Sequence, residues 1–448
     1  MKGTNLVHNL SRSILKTLVI LLFVPNLKAG QYYALCEGNF GQANASLWSF
    51  DEAISTIDGP LVWDTGTNPL GDVGQSLTLY DHTLYIVMNN SHKVRVLDLE
   101  NGMNHVGDID IPGTSPRYMA IQRSQNRGFI SSWSLGGLLI VDLTNNTVVD
   151  TFLLGGLPEK VIIDQDDLYV SMNMKPDWTA NNLVHHIDIS TATPSITDTY
   201  EVIDGPASMA LSGQSLFVTS VYYNDAWESF SGTSRINLHD GSVLTVDHGA
   251  YSNYSADIGV VQGVPFRIYG NFIVPLNEDL SFNAEGSIGN LSGIYSFSVQ
   301  NDLLVVGTSD FVAPDELTIY GSEGSTRGSL TLGALSGDVI YYDPDVVSVD
   351  ASHQLPSNIS VGQNYPNPFN PATHIPFQIN KAEYTTLNIF DTRGRLINSL
   401  LNADLEPGNY ELTWNSLDLA GQKVSSGIYF AVLSAGSEQS MIKLHLIK

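Results

Sequence analysis

A unit of about forty residues recurs along the first three quarters of the chain, and few folds can accommodate such a repeat. It appears as "LYIVMNNSHKVRVLDLENG" from Leu84, "GFISSWSLGGLLIVDLTNN" from Gly128, "LYVSMNMKPDWTANNLVHHIDIS" from Leu168 and "LFVTSVYYNDAWESFSGTSRINLHDG" from Leu216. Each copy opens on an apolar, β-rich run and continues through a variable polar loop. A second apolar run then ends on Asp98, Asp142, Asp188 or Asn237, with Asp51 in the matching place of "LWSFDEA". Asp or Asn at a strand end bonds the backbone of the next turn. A residue repeated in every unit serves the fold rather than a single reaction. One further strand precedes each unit ("SLTLY", "YMAIQ", "VIID", "MALS") and another follows ("VGDIDI", "VVDTFLL", "DTYEVI", "VLTVD"). Four antiparallel strands in about 40–48 residues match a propeller blade and are too few for an independent β domain.

The ends of the repeat region predict how it closes. A degenerate unit runs from about Ser255 to Gly289, and a regular one follows in "YSFSVQNDLLVVGTSDFVAPDELTIYG". The N-terminal unit, "YYALCEGNFGQANASLWSFD", lacks an opening strand, while "DVIYYD", Asp338 to Asp343, is left over. If that strand completes the first sheet, seven blades form a ring without open edges. The expected fold is all-β, a seven-bladed β-propeller over residues 31–345 joined through a linker, 346–360, to an Ig-like β-sandwich, 361–448. The stretch "LYIVMNNSHKVRVLDLENGMNHVGDIDIPGTSPRYMAI" and its weaker copies resemble the YVTN-repeat propellers of bacterial surface and periplasmic proteins. That likeness reports architecture and hardly function.

The last ninety or so residues read differently. "NYPNPFNPATHIPF" crowds three prolines among asparagines and then turns apolar at alternate positions. Proline fixes φ, removes an amide donor and pushes the preceding residue toward extended backbone. The stretch therefore reads as a stiff lead-in that blocks a sheet edge, with Ile375 and Phe377 in the first strand after it. Alternating strands with turns at "DTRG", "EPGN" and "LAGQ" suit a small sandwich. "NYPNPFNPATHIPF", "IFDTRGR", "GNYELTWN", "DLAGQKVSSGIYF" and the terminal "MIKLHLIK" resemble, in order, the type IX secretion C-terminal sorting domain (type A). "WNSLDLAG" replaces the commoner Trp-Asp-Gly start, and His445 sits in the tail. The resemblance implies passage through a bacterial outer membrane by the type IX machinery. It places the motif on Asn364, Tyr365, Pro366, Asn367, Pro368, Phe369, Asn370, Pro371, Gly427 and Tyr429.

The N-terminus agrees with export. Lys2, Arg12 and Lys16 precede the apolar run Leu18 to Val24, and "NLKAG" offers a cleavage site near Ala29–Gly30. This reads as a signal peptide over residues 1–30, with no later stretch long enough to span a bilayer. The net charge is −26, and residues 31–354 hold 39 of the 46 acids against 10 of the 20 bases. Such a surface lacks the basic stripe that nucleic acid needs. Cys36 is the single cysteine, so no intramolecular disulfide forms. It sits in a strand without a basic neighbour, as a buried thiol does.

The variable loops carry the chemistry on offer. In a four-stranded blade, loops from second to third strand share a face with the loops between blades. They place Phe40, His92, Trp133, Trp178, Trp227, Phe230 and Phe311 on that face, beside Asn89 and Asp310. Function tends to sit on loops held by a rigid scaffold. Exposed rings next to Asn, Asp and Ser suit a carbohydrate or peptide. His185 and His186 point to opposite faces of a strand and make poor partners for one metal ion. "DQDD", Asp164 to Asp167, and "DPD", Asp343 to Asp345, lack the rest of a calcium loop. Nucleophile elbow, phosphate loop, zinc motif and dinucleotide fingerprint are missing. No catalytic residue, metal or cofactor is assigned. The expected function is a secreted or cell-surface propeller that binds a ligand through its loop face. The alternatives are a lactonase- or lyase-like enzyme using channel residues such as Glu37, Asn89, Asn173 and Asp310, or a structural surface-layer component.

Overall fold

The computed structural model describes residues 30–61, 70–100, 102–312, 314–344, 359–362, 364–379, 382–391, 395–419, 421–435 and 438–447. The leader at 1–30, apart from Gly30, lies outside these residues, as does most of the linker at 346–360. The described residues up to Pro344 form seven sheets, six of four strands and one of three. The inner strands are, in ring order, Ser336–Tyr342, Gly74–Tyr80, Pro116–Gln122, Leu157–Asp164, Pro206–Ser212, Ile258–Val261 and Ile294–Gln300. We number the sheets one to seven in that order. Each inner strand packs against the next, and the seventh returns to the first. The ring is shut.

The latch is the strand left over in the sequence. Ser336–Tyr342 runs antiparallel to Gln31–Cys36, with Tyr342 opposite Gln31 and Asp338 opposite Leu35. Closure removes the free edges on which sheets aggregate. Sheet six is the degenerate unit. It keeps Ile258–Val261, Val264–Tyr269 and Phe272–Pro275, and an isolated bridge from Ile273 to Ile288 stands where a fourth strand would pair.

Burial explains the pattern. Middle strands are covered on both faces by neighbouring sheets, so Leu84 to Met88 is apolar without a break. Outer strands face water, and Thr147–Leu153 is exposed along nearly all its length. Between sheets two and three, Tyr85, Val87, Val94 and Val96 meet Met119, Ile130, Leu139 and Val141. Hydroxyls bind neighbouring sheets at the inner strands: Ser76 donates to the Arg117 carbonyl at 2.9 Å, Thr78 to that of Met119 at 2.8 Å, and Ser131 to that of Glu159 at 2.6 Å. Cys36 is buried between sheets one and seven, with Val305, Leu317 and Ile319, and burial pushes its thiol up to about 12.

The recurrent strand-end Asp and Asn residues cap the turns that follow them. Asp98, Asp142, Asp188 and Asn237 accept amide hydrogens from Glu100, Thr144, Ser190 and His239 at 2.8 to 3.0 Å. Asp51 does the same for Ser55 and Thr56.

The C-terminal unit is a sandwich. One sheet orders Ile359–Val361, Thr373–Ile379 and Gly408–Trp414. The other orders Leu396–Leu405, Glu383–Asp391, Gly427–Ala435 and Glu438–Leu446. Phe369, Ile375, Phe377, Leu387, Ile389, Trp414 and Leu433 fill the space between them.

Candidate functional site

Each inner strand of the ring begins at the loop face, and in six of the seven its pairing slips there. In six sheets the register shifts within the first few residues, at Gly74/Ser76, Pro116/Met119, Pro158/Val161, Pro206/Ser208, Ile294/Ser296 and Ser336/Asp338. A bulge leaves residues unpaired and re-aims their side chains. The residues passed over are Gln75, Arg117 and Tyr118, Glu159 and Lys160, Ala207, Tyr295, and Gly337. One structural device, repeated round the ring, thus gathers polar groups at one level of the central channel.

The amides in and just past the bulges still need acceptors. Ser131 and Ser171 hydroxyls serve Tyr118 and Lys160 at 3.0 Å within their own sheets. Asp338 reaches across to Leu77 at 2.8 Å, and Asp257 to Phe297 at 3.0 Å. These two acids therefore hold neighbouring sheets together.

The remaining groups form two clusters. In the first, Arg117 grips Glu159 through Nε at 3.1 Å and Nη2 at 2.6 Å, and its Nη1 donates to Gln75. Trp133 Nε1 donates to the other Glu159 oxygen at 2.9 Å, and the Arg117 guanidinium lies 4.3 Å from the Trp133 ring centre. Burial opposes the arginine's charge, yet the Glu159 carboxylate outweighs it and raises its pKa. In the second cluster Glu37 bonds Tyr295. Burial lifts the Glu37 carboxyl to about 7, against the pull of the Tyr295 hydrogen bond and the Arg117 charge. Burial likewise raises Asp257 and Asp338, and both are eased by Lys160, which lies 4.2 Å over the Tyr118 ring. All three acids are partly buried rather than sealed off. Among the described residues, no three His, Cys, Asp or Glu side chains form a group fit to hold a metal ion.

Aromatic steps lead from the loop face to both clusters. Trp178 meets Trp133 edge-on at 6.1 Å, above the Arg117–Glu159 pair. On the other side Phe311 meets Tyr254 at 5.6 Å, and Tyr254 stacks on Tyr295 at 4.9 Å beside Glu37. Phe40 is 76% exposed, Trp178 65% and Trp227 83%. Trp178, Trp227 and Phe311 stand at φ of 68°, 60° and 67°. That left-handed backbone costs an L-residue roughly 1–2 kcal/mol, and bulky side chains are rare there.

The loop residues named from the sequence divide by role. The structure brings Trp133 and Trp178 together. Trp227 packs on Tyr223, and Phe230 stacks on Tyr222, each within one hairpin. Asn89 donates to the Pro116 carbonyl at 2.9 Å, and Asn173 to that of Pro206 at 3.4 Å, so both tie one sheet to the next. His92 Nδ1 accepts the Ser115 amide at 3.2 Å. Asp310 accepts the Val312 amide at 2.9 Å in its own turn. His185 and His186 do part, one to Thr199 and the other to Asp167 and Asp198. Sequence reasoning named Glu37 but missed Arg117, Glu159, Lys160, Tyr254, Asp257, Tyr295 and Asp338. One signal was present. "SPRYM", "LPEKV" and "GPASM" align at the strand starts, and the residue after proline is the one the bulge exposes.

The proline-rich motif leads into the strand Thr373–Ile379 and also folds over the end of the last strand, with Phe369 apolar enough to join the core and the Asn364 and Asn367 side chains bonding across the motif. Asn364 is buried and donates to Thr373 at 2.7 Å. Tyr365 and His374 exchange backbone bonds. Phe369 is buried, its amide bonding the His445 carbonyl at 2.9 Å, and Asn367 Oδ1 accepts the His445 amide at 2.9 Å. The motif blocks that strand's edge as part of the sandwich. Gly427 opens the strand that carries Tyr429, which packs edge-on against Trp414 at 5.1 Å.

Residues 363–448 match the family of secretion system C-terminal sorting domains. The chain is exported by type IX secretion to the cell surface or outside the cell. Among the described residues no helix is long and apolar enough to cross a membrane. No curated protein matches the chain. A protein from Lactobacillus plantarum, solved as a structural-genomics target, is 14% identical with a TM-score of 0.51, covering 70% of this chain and all of its own. Hydrazine synthase of Kuenenia stuttgartiensis is 15% identical at a TM-score of 0.48 over 61% of this chain and 90% of its own. BamB of Moraxella catarrhalis is 12% identical at 0.43 over 78% and 88%. At such identities the first likeness bears on fold alone, and the other two carry no argument.

Proposed function

We propose that this protein is an exported binding module. The seven-bladed ring over 31–345, which we read as YVTN-type, offers its loop face to an extracellular carbohydrate or peptide. The sandwich over 361–448 engages the type IX machinery, and 346–360 joins the two. The observation that carries this reading is the set of large exposed rings on the loop face, Phe40, Trp178, Trp227, Tyr254 and Phe311, around a charged channel mouth. Apolar surface left in water beside convergent polar groups marks interaction sites. The purified full chain, applied to glycan and peptide arrays, is expected to retain a ligand that Trp133→Ala and Phe311→Ala each release. Retention in both variants would sink the proposal.

One observation favours a second reading, catalysis in the channel of a lactonase or lyase kind. A carboxyl near 7, bonded by a tyrosine and close to an arginine, is poised for proton transfer at neutral pH. Glu37→Gln would then abolish turnover of a lactone or uronide substrate while leaving its binding intact.

A further inference from the structure

We propose that the loop face takes an uncharged polysaccharide, with Trp178 and Trp227 as stacking platforms on sheets four and five. This inference rests on the loop-face reading above and names its ligand class.

The two tryptophans occupy the same place in the same kind of turn. Trp178 donates its amide to the Lys175 carbonyl and Trp227 to the Asn224 carbonyl, both at 2.9 Å. Lys175 and Asn224 in turn donate to the Thr179 and Glu228 carbonyls at 2.8 and 3.1 Å. The fourth position of this turn requires left-handed backbone, which Gly or Asn adopts with least strain. Neither the turn nor the core asks for an indole there, since both rings are mostly in water. A strained residue that the fold does not need points to function.

The surroundings select among ligands. The turns close their own backbone bonds, so they offer no edge for a peptide strand to extend. The exposed charged groups beside the rings are mostly acids: Asp177, Asp225 and Glu228 in the two turns and Asp204 in the loop joining their sheets, against a single cation among them, Lys175. Carboxylates accept hydrogen bonds from hydroxyl groups and repel anionic polymers, as the surplus of acids over residues 31–354 also does. A pyranose ring combines a flat C–H face, which covers an indole, with a rim of hydroxyl donors. Trp133, edge-on to Trp178, continues the track toward the channel mouth.

The test uses the full chain in affinity electrophoresis and calorimetry with cello-, xylo-, manno- and malto-oligosaccharides. Polygalacturonate serves as the anionic control and a proline-rich peptide as the protein control. At least one neutral glycan is expected to bind, and Trp178→Asn and Trp227→Asn are each expected to weaken it tenfold or more. Neither substitution should lower the melting temperature, because Asn suits the turn better. If only the peptide binds, and does so through these tryptophans, the glycan inference falls while the loop-face reading stands. Binding that ignores both substitutions overturns the inference, while the loop-face reading then falls only if Trp133→Ala and Phe311→Ala also leave binding intact. Absence of any neutral-glycan binding, tighter binding of polygalacturonate, or a lower melting temperature in either variant overturns the inference.

Discussion

The first-to-second turns and the second-to-third loops of the ring treat the same backbone problem in different ways. Turns from first to second strand, on the face away from the variable loops, place Asp81, Asn126, Gln165, Gly213, Gln262 and Asn301 at positive φ. Apart from the two glutamines, these are residues that tolerate that region, by having no side chain or a short polar one. The loops from second to third strand put His92, Trp178, Trp227 and Phe311 there, alongside Gly136 and Gly270. The first-to-second turns mostly follow turn propensity and the second-to-third loops depart from it with large rings, while the turns after the third strand depart too, with Ile54, Met103 and Leu280 at positive φ. Since the strands between the faces are shared, the departure belongs to what the loops do rather than to how the ring folds.

Both faces hang on a scaffold whose own bonds matter more than either. The sharpest way to break the contrast is at the channel. Arg117→Met would leave Glu159 buried without its cation, which typically costs about 3–5 kcal/mol. Thermal unfolding of the full chain should show this as the largest fall among the variants considered. Adding Glu159→Leu should restore most of the loss, because the destabilising species is the lone buried charge. If Arg117→Met is silent, the channel is not the scaffold's keystone.

The next effect is one of pH. Glu37 titrates higher in the folded ring than in the unfolded chain, from 4.5 to about 7, chiefly through burial. The folded state thus holds the proton more tightly between those values, so stability is greatest below about 4.5 and falls as pH rises toward 7. Each tenfold gain in proton affinity on folding corresponds to about 1.4 kcal/mol; with partial exposure to channel water discounted, a fall of about 2 kcal/mol is expected. Denaturation followed from about pH 4.5 to 8 should show it, on top of other groups' contributions, and Glu37→Gln should flatten the difference.

A reciprocal exchange within sheet five addresses the faces directly. Gly213 turns the chain at φ 53°, and a Cβ there would meet nothing within 4 Å. Gly213→Trp should therefore cost only the backbone term, about 1–2 kcal/mol. Trp227→Asn, at φ 60° on the opposite face, should be neutral or raise stability by up to about 1 kcal/mol. If both substitutions destabilise alike, Trp227 is a structural residue and the contrast between faces dissolves.

Much of this was legible from residues alone, for reasons that also set the limit. Strand count and a leftover "DVIYYD" pointed to the latch, because strands pair one for one and an edge left open is costly. The repeated Asp and Asn revealed the capped turns, because their side-chain length dictates the bond. The sandwich emerged from alternation. The channel did not, because a bulge breaks the period of two on which face assignments depend. Arg117 and Glu159 look like ordinary strand residues until the slip is known. Strain at Trp178 and Trp227 was also invisible, since φ is set by the turn that the loop happens to make. The proline motif was legible as an edge blocker, but the burial of Phe369 and the bonds made by Asn364 and Asn367 were not, because they depend on the last strand lying beside it.

The smallest effect tests whether the capped turns are as ordinary as the contrast between faces makes them. Asp142 is one of the recurrent acids, and its carboxylate accepts the Thr144 amide at 2.8 Å. The bond faces solvent, where a net hydrogen bond contributes about 0.5–1.5 kcal/mol. Asp142→Ala should lie at the low end of that range. Asp142→Asn should be almost neutral, because sheet five already uses Asn237 in the equivalent place, accepting the His239 amide at 3.0 Å. The pair of substitutions separates acceptor from charge: a loss in both would mean that the negative charge itself is needed, and the repeat would then carry more than turn chemistry. Near-wild-type stability in Asp142→Asn with a modest fall in Asp142→Ala would leave the acids as turn-formers.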